Sequence, residues 1–457
     1  MNIMNDLLIY IASLIKGTKF ENNVFVVGGY VRDQLIERPS KDIDLVVSLN
    51  EGGIRLAQFL VDATGSRTEN NPVIYPRFGT AKFYIKGFDD EIEAVMTRSE
   101  TYTKGSRKPM VNYGSLVDDA TRRDLTINTL YRNVSDGELI DPTGKAIQDI
   151  ENKCIRTPLD PNQTFKDDPL RMMRVIRFAC KFDWMVTPDT SNAIVKNSKL
   201  IKSISVERFS DEFKKILCTD NAHIGLTDLY HSNLLSHMIP ELEQLAFIPQ
   251  NEYHEDLVFD HTLKVVEKTK PDLITRLGAL FHDIGKEKTF DDTNDNITFH
   301  GHESVGADIS MDILKRLAFS NDIVDRVARI VRMHMRLKQA GSNGDKITNK
   351  GLRKFVRDAG DDIERILDVI HADNMSHHPD HCMPNQIPEI LNRIKNLKSV
   401  SSSQHIKLPV TGEDVMEELQ IKPSKLVGDV LREVEEHVFE NPYLTRQQAL
   451  EIIRKFL

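Results

Sequence analysis

The strongest constraint on the fold of this chain lies between Val24 and Val47, where two short apolar runs flank a pair of glycines. The first run, VFVV, is short and mostly β-branched, which is typical of a buried strand, and Gly28 and Gly29 end it. Glycines at such a turn let backbone N–H groups approach an anion, and Arg32 follows one helical turn later. The pattern predicts a strand, a phosphate-binding turn and the start of a helix.

The second run alternates between apolar and acidic residues, so Asp42 and Asp44 share one face of a predicted strand. Neighbouring carboxylates repel each other unless a cation lies between them. The pair therefore predicts a Mg²⁺ site of the kind used in two-metal phosphoryl transfer. A later alternating run puts Glu91 and Glu93 on one face, and either can supply a third carboxylate, with Glu93 as the candidate catalytic residue. The alternative is a hairpin whose Asp-x-Asp merely faces water.

Composition narrows the possible classes of protein. The 457 residues are 40% hydrophobic and 28% charged, which is typical of a soluble chain with about three domains. No apolar run approaches the ~20 residues that span a bilayer. Residues 1–15 are predicted to form an amphipathic helix rather than a signal peptide, because Asp6 interrupts them and no basic segment precedes them. The four scattered cysteines lack a C-x-x-C pair, which favours reduced thiols and a cytoplasmic location.

The net charge of −9 argues against a uniformly basic nucleic-acid binder. Charge is uneven, however, because the segment from Phe165 to Lys215 holds eleven basic and seven acidic residues. A local basic surface is one interpretation of this segment, and a solvated helix face is the other.

Two further segments combine arginine with carboxylates. A helix is predicted to open within residues 118–128, where two arginines and an Asp and Asn one turn apart can grip a triphosphate and a ribose, or form a surface ion-pair cluster. From Asp167 a second predicted helix places three arginines on one face. Asp168 and Arg171 are three residues apart and can touch, either as a base-reading pair or as a simple ion pair. The stretch 102–112 is predicted to be a mobile loop.

The motifs GGYVRD, DID, RRDLTIN, DDPLRMMRVIRF and VERFSDEFKKIL, in this order, resemble the bacterial-type tRNA nucleotidyltransferase and poly(A) polymerase superfamily over about residues 20–250. The resemblance implies that Asp42 and Asp44 hold catalytic Mg²⁺ and that Asp168 and Arg171 read the base of CTP or ATP. Asp167 stands where the family usually has Glu. The implied nucleotide-binding residues are Gly28, Gly29, Arg32, Arg98, Arg122, Arg123, Asp124, Asn128, Asp168, Arg171, Arg174 and Arg177.

A second group of candidate residues follows residue 255. On a helical wheel, His282 and Asp283 fall about 140° and 240° from Leu277, away from the apolar seam of their predicted helix. Gly278 and Ala279 lie one turn earlier and leave room for neighbouring helices. Imidazole and carboxylate ligands in this mixture suit Mn, Fe, Co or Ni.

This second group resembles the HD phosphohydrolase superfamily over about residues 255–380. The resemblance implies that the metal ligands are His261, His282, Asp283 and Asp373, with His302 and His334 at the positions where binuclear members add ligands. Four other histidines have no motif role and are interpreted as surface residues: His300, His377, His378 and His381. The tail from Leu408 to Arg446 resembles the C-terminal segment of some HD-containing tRNA nucleotidyltransferases more loosely.

Together these features predict an α+β chain: a nucleotidyltransferase head with a small mixed sheet, followed by an all-helical neck, an HD domain and a tail. The expected boundaries are 1–155 for the head, 156–252 for the neck, 253–385 for the HD domain and 386–457 for the tail. The implied activity is template-independent addition of CCA to tRNA from CTP and ATP, with Mg²⁺ in the head. A Ni²⁺-, Co²⁺- or Mn²⁺-dependent phosphohydrolase is the implied second activity. No membrane association is expected, and the oligomeric state is left open.

Two alternatives remain at this stage. One is a poly(A) polymerase or an enzyme that adds only part of CCA, although the poly(A) polymerase branch generally lacks an HD domain. The other is an HD phosphohydrolase whose head is only an RNA-binding module.

Overall fold

A computed structural model describes residues 5–39, 43–65, 71–76, 79–101, 110–250, 256–293, 297–403, 408–441 and 443–457. Asp42 lies outside the described residues, and so does most of the predicted loop at 102–112. Among the described helices, none is both long and apolar enough to cross a bilayer.

The head is built on a mixed sheet of seven strands in the order β3-β4-β5-β2-β1-β8-β9. Within it β2 and β5 are parallel and the other neighbours are antiparallel. Buried β-branched residues of β1 and β2 fill the sheet centre, as their short apolar runs predict. The strands are β1 Val24–Val27, β2 Ile43–Val47, β3 Val73–Tyr75, β4 Thr80–Phe83, β5 Ile92–Met96, β6 Arg98–Thr101, β7 Met110–Tyr113, β8 Tyr131–Asn133, β9 Leu139–Ile140, β10 Cys154–Ile155 and β11 Met185–Val186.

Two predictions about strands need correction. Residues 110–112, expected in a loop, belong to β7, which pairs with β6 as an antiparallel hairpin. The neck is not wholly helical either, since β11 pairs in parallel with β10 at the end of the head.

Five helices belong to the head, and the rest of the described chain is almost entirely helical. The head helices are α1 Asp6–Ile15, α2 Gly29–Leu35, α3 Gly52–Thr64, α4 Leu116–Thr121 and α5 Ala146–Glu151. Those of the neck are α6 Pro161–Asp167, α7 Leu170–Phe182, α8 Pro188–Asn197, α9 Val206–Leu217, α10 Ala222–His231, α11 Leu234–Met238 and α12 Pro240–Gln244.

The HD region and the tail are also built from helices. Their helices are α13 Val258–Lys268, α14 Leu273–Phe281, α15 Lys286–Thr289, α16 His302–Arg316, α17 Asn321–Met333, α18 Asn349–Ala359, α19 Ile363–Asn374, α20 Gln386–Ser403, α21 Gly412–Leu419, α22 Lys425–Glu440 and α23 Arg446–Arg454.

Two predicted helix boundaries are wrong. The helix expected to open within residues 118–128 already begins at Leu116, capped by Ser115, and ends at Thr121 before the two arginines. The helix expected from Asp167 begins at Leu170, because Asp168 is extended and closes α6. A residue before proline is disfavoured in the helical conformation, which explains the break at this point.

The hydrophobic cores do not correspond one to one with the four expected domains. The head has its own core around α1, α3 and the sheet, and the tail has a small one within α21–α23. A single continuous cluster runs from Leu125 through the neck to Ile394 in α20. Neck and HD region therefore share one buried core.

Candidate functional site

The candidate catalytic carboxylates of the head lie on adjacent strands of the sheet. Asp44 of β2 is exposed and stands directly beside Glu93 of β5 in the parallel register. Side chains paired in register point to the same face, and neighbouring strands are ~4.8 Å apart. The structure thus brings the exposed Asp44 and the half-buried Glu93 together on one face of the sheet.

A lysine that sequence reasoning missed extends this row. Lys82 of β4 is in register with Glu93, and its Nζ lies 3.4 Å from a carboxylate oxygen of Glu93 and 3.5 Å from one of Glu91. The negative charge of Glu93, followed by that of Glu91, raises the pKa of Lys82. Glu93 therefore already has a cationic neighbour, whereas Asp44 is the more exposed of the two carboxylates. The alternation of Lys82 with apolar residues in the β4 run could have indicated this residue.

The glycine turn ends β1 as predicted. Gly28 has a φ of 72°, a conformation that favours glycine, and a β-carbon there would lie 3.5 Å from the guanidinium of Arg123. The N–H of Gly28 donates to the carbonyl oxygen of Leu130 at 3.3 Å. This turn therefore places the end of β1 close to the arginine-rich segment that follows α4.

Arg32, which the motif predicts to bind phosphate, has internal partners in the structure. It is 3% exposed, and its Nε and Nη1 donate to Asp33 at 2.8 Å and to Asn128 at 2.5 Å. Its third nitrogen, Nη2, lies 2.7 Å from Asp33, and the guanidinium lies over the rings of Phe178 and Phe182. Arg32 is placed to orient Asn128 and to join the head to α7.

The two arginines after α4 converge on a residue that the sequence did not single out. Asp119 is fully buried and accepts from Arg122 at 2.5 Å, from Arg123 at 3.0 Å and from the hydroxyl of Tyr131 at 2.6 Å. Burial alone raises the pKa of Asp119, but the positive charges of Arg123 and Arg122 outweigh it and lower the pKa. The alternative of a surface ion-pair cluster is therefore wrong, because the shared carboxylate is internal.

A second network joins the head to the neck. Asp124 accepts from Asn128 at 3.0 Å and from Arg174 at 2.7 Å. On α9, Glu212 is 4% exposed and lies 2.8 Å from Arg177 and 3.7 Å from Arg174. Glu212 was also missed, although an acidic residue on the apolar face of an amphipathic helix is a visible signal.

The predicted base-reading pair, Asp168 and Arg171, lies where α6 ends and α7 begins. Asp168 binds Arg208 at 2.8 Å, and Arg171 donates to the carbonyl oxygen of Arg122 at 2.6 Å. Among the described residues no ion pair joins Asp168 to Arg171, so the simple i,i+3 salt bridge is wrong. Each member has a separate partner instead. Arg98, the remaining implied nucleotide-binding residue, lies in β6 and is half-buried.

The HD region gathers its six candidate ligands from five elements. All six are buried, and five of them form two triads that share Asp283: one with His261 and His282 and one with His302 and His334. Within each triad the candidate ligand atoms all lie within 4.8 Å of one another. The sixth, Asp373, approaches His261 at 3.0 Å and His282 at 3.9 Å.

Asp283 lies between the two triads. One of its oxygens, Oδ2, is 3.1 Å from His282 and 3.8 Å from His261. The other, Oδ1, is 3.4 Å from His302 and 3.9 Å from His334. The two oxygens of one carboxylate thus face two different sets of imidazoles, which is the arrangement of a carboxylate that can bridge two cations.

Three of the imidazoles are oriented by the backbone. The Nδ1 atoms of His282, His302 and His334 lie 2.7, 2.8 and 2.6 Å from the carbonyl oxygens of Ala279, Phe299 and Val331. An Nδ1–H that donates to a carbonyl leaves Nε2 unprotonated and pointed at the centre of the cluster. These contacts select the tautomer that binds metal.

The hydrogen bonding and protonation of the buried side chains show whether this cluster fits a metal. The Nε2 of His282 is buried and lies 3.1 Å from an oxygen of Asp283 without a well-directed hydrogen bond among the described residues, an arrangement that a bound cation would stabilise. Burial lowers the pKa of His334 to about 3, which keeps that ring neutral. The pKa of Asp283 is well below its usual value, because the positive charges of His282 and Lys286 outweigh burial. Imidazoles together with ionised carboxylates are a donor set for a divalent transition metal, and the cluster fits one.

Two expectations about this region are wrong. The apolar seam predicted for α14 does not distinguish His282 from core residues, because α14 has no solvent face: every residue from Ile274 to Phe281 is buried, and His282 lies at its end. His377 is not a surface histidine, since its side chain is only 4% exposed and lies 3.6 Å from Asp373. His300 and His381 are exposed and His378 is half-buried.

The cluster opens onto a cavity of about 480 Å³. Its wall contains Asp283 and Asp373 together with the basic residues Lys286, Arg336 and Lys338. Lys286 lies 2.7 Å from Asp283. Basic side chains around paired carboxylates and imidazoles suit an anionic ligand such as a phosphate ester.

A glycine sets the distance between two of the elements that carry ligands. A β-carbon at Gly285 would lie 2.3 Å from the carbonyl oxygen of His302 and 2.7 Å from the backbone nitrogen of Gly306. Backbone cannot move aside cheaply, so we expect Gly285→Ala to lower the free energy of unfolding by ~1–3 kcal/mol. Chemical denaturation measures this. Gly428→Ala is the matched control, because an added β-carbon there meets only the end of Arg432 at 3.9 Å and alanine favours a helix. Equal stability of the two variants would contradict the tight approach.

Three family models match the chain. They are the poly A polymerase head domain over residues 24–156, the probable RNA- and SrmB-binding site of polymerase A over residues 185–245, and the HD domain over residues 258–376. The nucleotidyltransferase head and the HD domain imply dependence on divalent metal ions.

Curated relatives with similar sequences include several tRNA nucleotidyltransferases. The mitochondrial CCA tRNA nucleotidyltransferase of Saccharomyces cerevisiae is 35% identical over 50% of this chain and 42% of its own length. The A-adding tRNA nucleotidyltransferase of Deinococcus radiodurans is 28% identical over 75% of this chain and 80% of its own length. The CCA-adding enzyme of Ligilactobacillus salivarius is 28% identical over 95% of this chain and 92% of its own length. The chain spans less than half the length of the first four curated relatives it matches.

Solved structures share the fold. The Bacillus stearothermophilus CCA-adding enzyme in complex with CTP superimposes with a TM-score of 0.69 at 21% identity, over 99% of this chain and 98% of that one. This likeness concerns the arrangement of head, neck and HD region.

Proposed function

We propose that this chain, which belongs to the tRNA nucleotidyltransferase and poly(A) polymerase superfamily and carries an HD domain, adds CCA to the 3′ end of tRNA from CTP and ATP. The observation that carries the proposal is the alignment of Asp44 with Glu93 on the exposed face of the head sheet. Likeness to a CCA-adding enzyme over 95% of the chain supports it.

In this reaction the 3′-hydroxyl of the RNA attacks the α-phosphate of the nucleotide, and pyrophosphate leaves. Mg²⁺, when bound, lowers the pKa of the hydroxyl and stabilises the leaving oxygen. Asp44, with Asp42 from outside the described residues, supplies the oxygen ligands that Mg²⁺ prefers. Glu93 adds negative charge beside them, and Lys82 limits how far that carboxylate is free to move.

The nucleotide is proposed to lie where the head meets the neck. Arg122 and Arg123 are held by Asp119, and Asp124 and Asn128 by Arg174 and Arg32. These internal partners fix the direction of each polar group before the ligand arrives, which reduces the ordering that binding requires.

The HD cluster is proposed to carry a separate phosphohydrolase that acts at phosphorylated or cyclic-phosphate RNA ends with Ni²⁺, Co²⁺ or Mn²⁺. Two imidazole-rich triads support a transition metal over Mg²⁺. The basic wall of the cavity supports an anionic substrate. The four cysteines, all unpaired, agree with the cytoplasmic location that belongs to this proposal.

The direct test is to incubate the purified chain with tRNA that lacks its terminal CCA, and to supply CTP, ATP or both. We expect CC with CTP alone and CCA with both nucleotides. The relative from Deinococcus favours one alternative, an A-adding enzyme; such an enzyme extends only tRNA that already ends in CC. The same mixtures are therefore also supplied with tRNA that ends in CC, and absence of extension of both substrates in every mixture leaves the HD phosphohydrolase as the function.

Base selection gives a separate prediction. Asp168 accepts and Arg171 donates hydrogen bonds, so together they can pair with a cytosine or adenine edge after exchanging their present partners. A wrong base leaves these polar groups unpaired. We expect Asp168→Ala or Arg171→Ala to increase UTP or GTP incorporation relative to CTP by about ten-fold or more, and to lower the rate with CTP by less. Competition between nucleotides in a primer-extension assay measures this.

Asp167→Ala is the matched control, because the side chain of Asp167 accepts from Gln163 at 2.7 Å and from no other described residue. It is expected to keep wild-type selectivity. Unchanged selectivity in both Asp168→Ala and Arg171→Ala contradicts base reading and means that the two residues have only a structural role.

A further inference from the structure

One buried histidine is not explained by either motif. His377 lies three residues beyond the end of α19, yet its side chain is only 4% exposed. Its ring is parallel to that of His261, with the centroids 6.0 Å apart and an interplanar angle of 4°. His377 is therefore part of the wall of the metal cluster.

The chain around His377 is held in place. The N–H of Ser376 donates to the carbonyl oxygen of Asp373 at 2.8 Å, and the hydroxyl of Ser376 donates to Ala372 at 2.8 Å. The thiol of Cys382 lies 3.4 Å from the carbonyl oxygen of His377. These contacts turn the chain back over the end of α19, so that His377 faces Asp373 one helical turn before it.

A single oxygen of Asp373 is shared by three imidazoles. Its Oδ1 is 3.0 Å from Nε2 of His261, 3.6 Å from Nε2 of His377 and 3.9 Å from Nε2 of His282. In the structure described here, His261 makes the short contact with this oxygen. Asp373 is also the one candidate ligand contributed by α19.

This arrangement changes when a cation is bound. A nitrogen that donates its lone pair to a metal can still carry a proton only on the other ring nitrogen. Once Nε2 of His261 or of His282 is a ligand, it can no longer donate to Asp373. Among the described histidines near Oδ1, His377 is then the one that keeps a proton to donate, and a shortening of about 0.6 Å brings it to normal hydrogen-bond distance.

We propose that His377 is a positioning residue of the HD metal site, which donates from Nε2 to Oδ1 of Asp373 and orients that carboxylate toward the cation. The inference rests on the proposed metal site of the HD region. Hydrogen-bonding partners of this kind typically contribute a factor of ~10–100 in metal affinity. His377 acts through Asp373 and does not itself touch the metal.

The test uses the full-length chain and Mn²⁺ as the probe. Isothermal titration measures Mn²⁺ affinity in the wild type, His377→Ala and His377→Gln, and in His378→Ala as the matched control. His378 is the adjacent histidine, and its side chain is 33% exposed. We expect His377→Ala to weaken Mn²⁺ binding ~10–100-fold. His377→Gln, whose amide places an N–H near the position of Nε2, is expected to recover most of the affinity.

Two further measurements separate positioning from other roles. Pulsed electron paramagnetic resonance on bound Mn²⁺ counts imidazole ligands, and the count is expected to be the same in wild type and His377→Ala. The melting temperature without metal is measured for each variant, so that metal affinities are compared only among folded chains.

The outcomes are distinguishable. Wild-type affinity in His377→Ala overturns the positioning role, and a loss of one imidazole overturns it in favour of direct ligation. Loss of affinity that His377→Gln does not recover overturns the hydrogen bond as its cause. A wild-type chain that binds no Mn²⁺, Co²⁺ or Ni²⁺ overturns the proposed HD function itself.

Discussion

Replacement of Asp44 by alanine is expected to abolish nucleotide addition while the HD phosphohydrolase remains active. Asp44 is the exposed member of the carboxylate row on the head sheet and stands beside Glu93 in register. Removal of one carboxylate from a two-metal site loses several kcal/mol of charge stabilisation, which corresponds to a rate loss of at least ~10³. Asp42→Ala is expected to have the same effect. The measurement is single-turnover addition of CMP to tRNA lacking CCA, with hydrolysis by the HD region assayed on the same preparation.

The fold is expected to survive this change, because Asp44 is exposed at the end of a strand whose other residues are buried. Glu91→Gln is the matched control: it removes a carboxylate near Lys82 but lies outside the strand pairing of Asp44 with Glu93. It should keep addition within a few-fold of wild type. An Asp44→Ala enzyme that retains more than a tenth of wild-type addition contradicts the metal site.

Replacement of His282 or Asp283 is expected to abolish hydrolysis by the HD region while nucleotide addition by the head remains. Asp283 belongs to both triads and offers one oxygen to each, so its loss removes a ligand from both. His282→Ala leaves the first triad without one of its two imidazoles. We expect the Ni²⁺-, Co²⁺- or Mn²⁺-stimulated hydrolysis to fall by at least ~10³, while Mg²⁺-dependent CCA addition persists. Both activities are measured across a metal series on one preparation of each variant.

His381→Ala serves as the control, because His381 is an exposed histidine beyond the cluster. It should leave both activities unchanged. The variants of His282 and Asp283 alter buried residues, so circular dichroism and the melting temperature are recorded alongside. A folded variant that loses addition together with hydrolysis contradicts two separate sites.

The local sequence determined where the helices and strands of this protein form and which of their positions carry functional side chains. The β-branched run before Gly28 forms β1, and the alternation around Asp44 forms an exposed position on β2. The spacing of apolar residues from Val206 to Leu217 forms α9. These features depend on side-chain periodicity within about ten residues, where steric preference and burial of one face act on the same short segment. The imidazoles of the HD motif could likewise be named from sequence, because a family pattern records where they occur.

The tertiary structure alone decided the partners of the charged residues. Arg32 pairs with Asn128 across 96 positions, and Arg174 with Asp124 across 50. Asp168 binds Arg208 of α9 and not Arg171, which is three residues away in the sequence. His377 is buried because the chain folds back over α19. A charged side chain is several ångströms long and binds whichever opposite charge the packing brings within reach. Local periodicity determines on which side of a helix or strand the side chain lies. Its burial and its binding partner depend on elements that are distant in sequence.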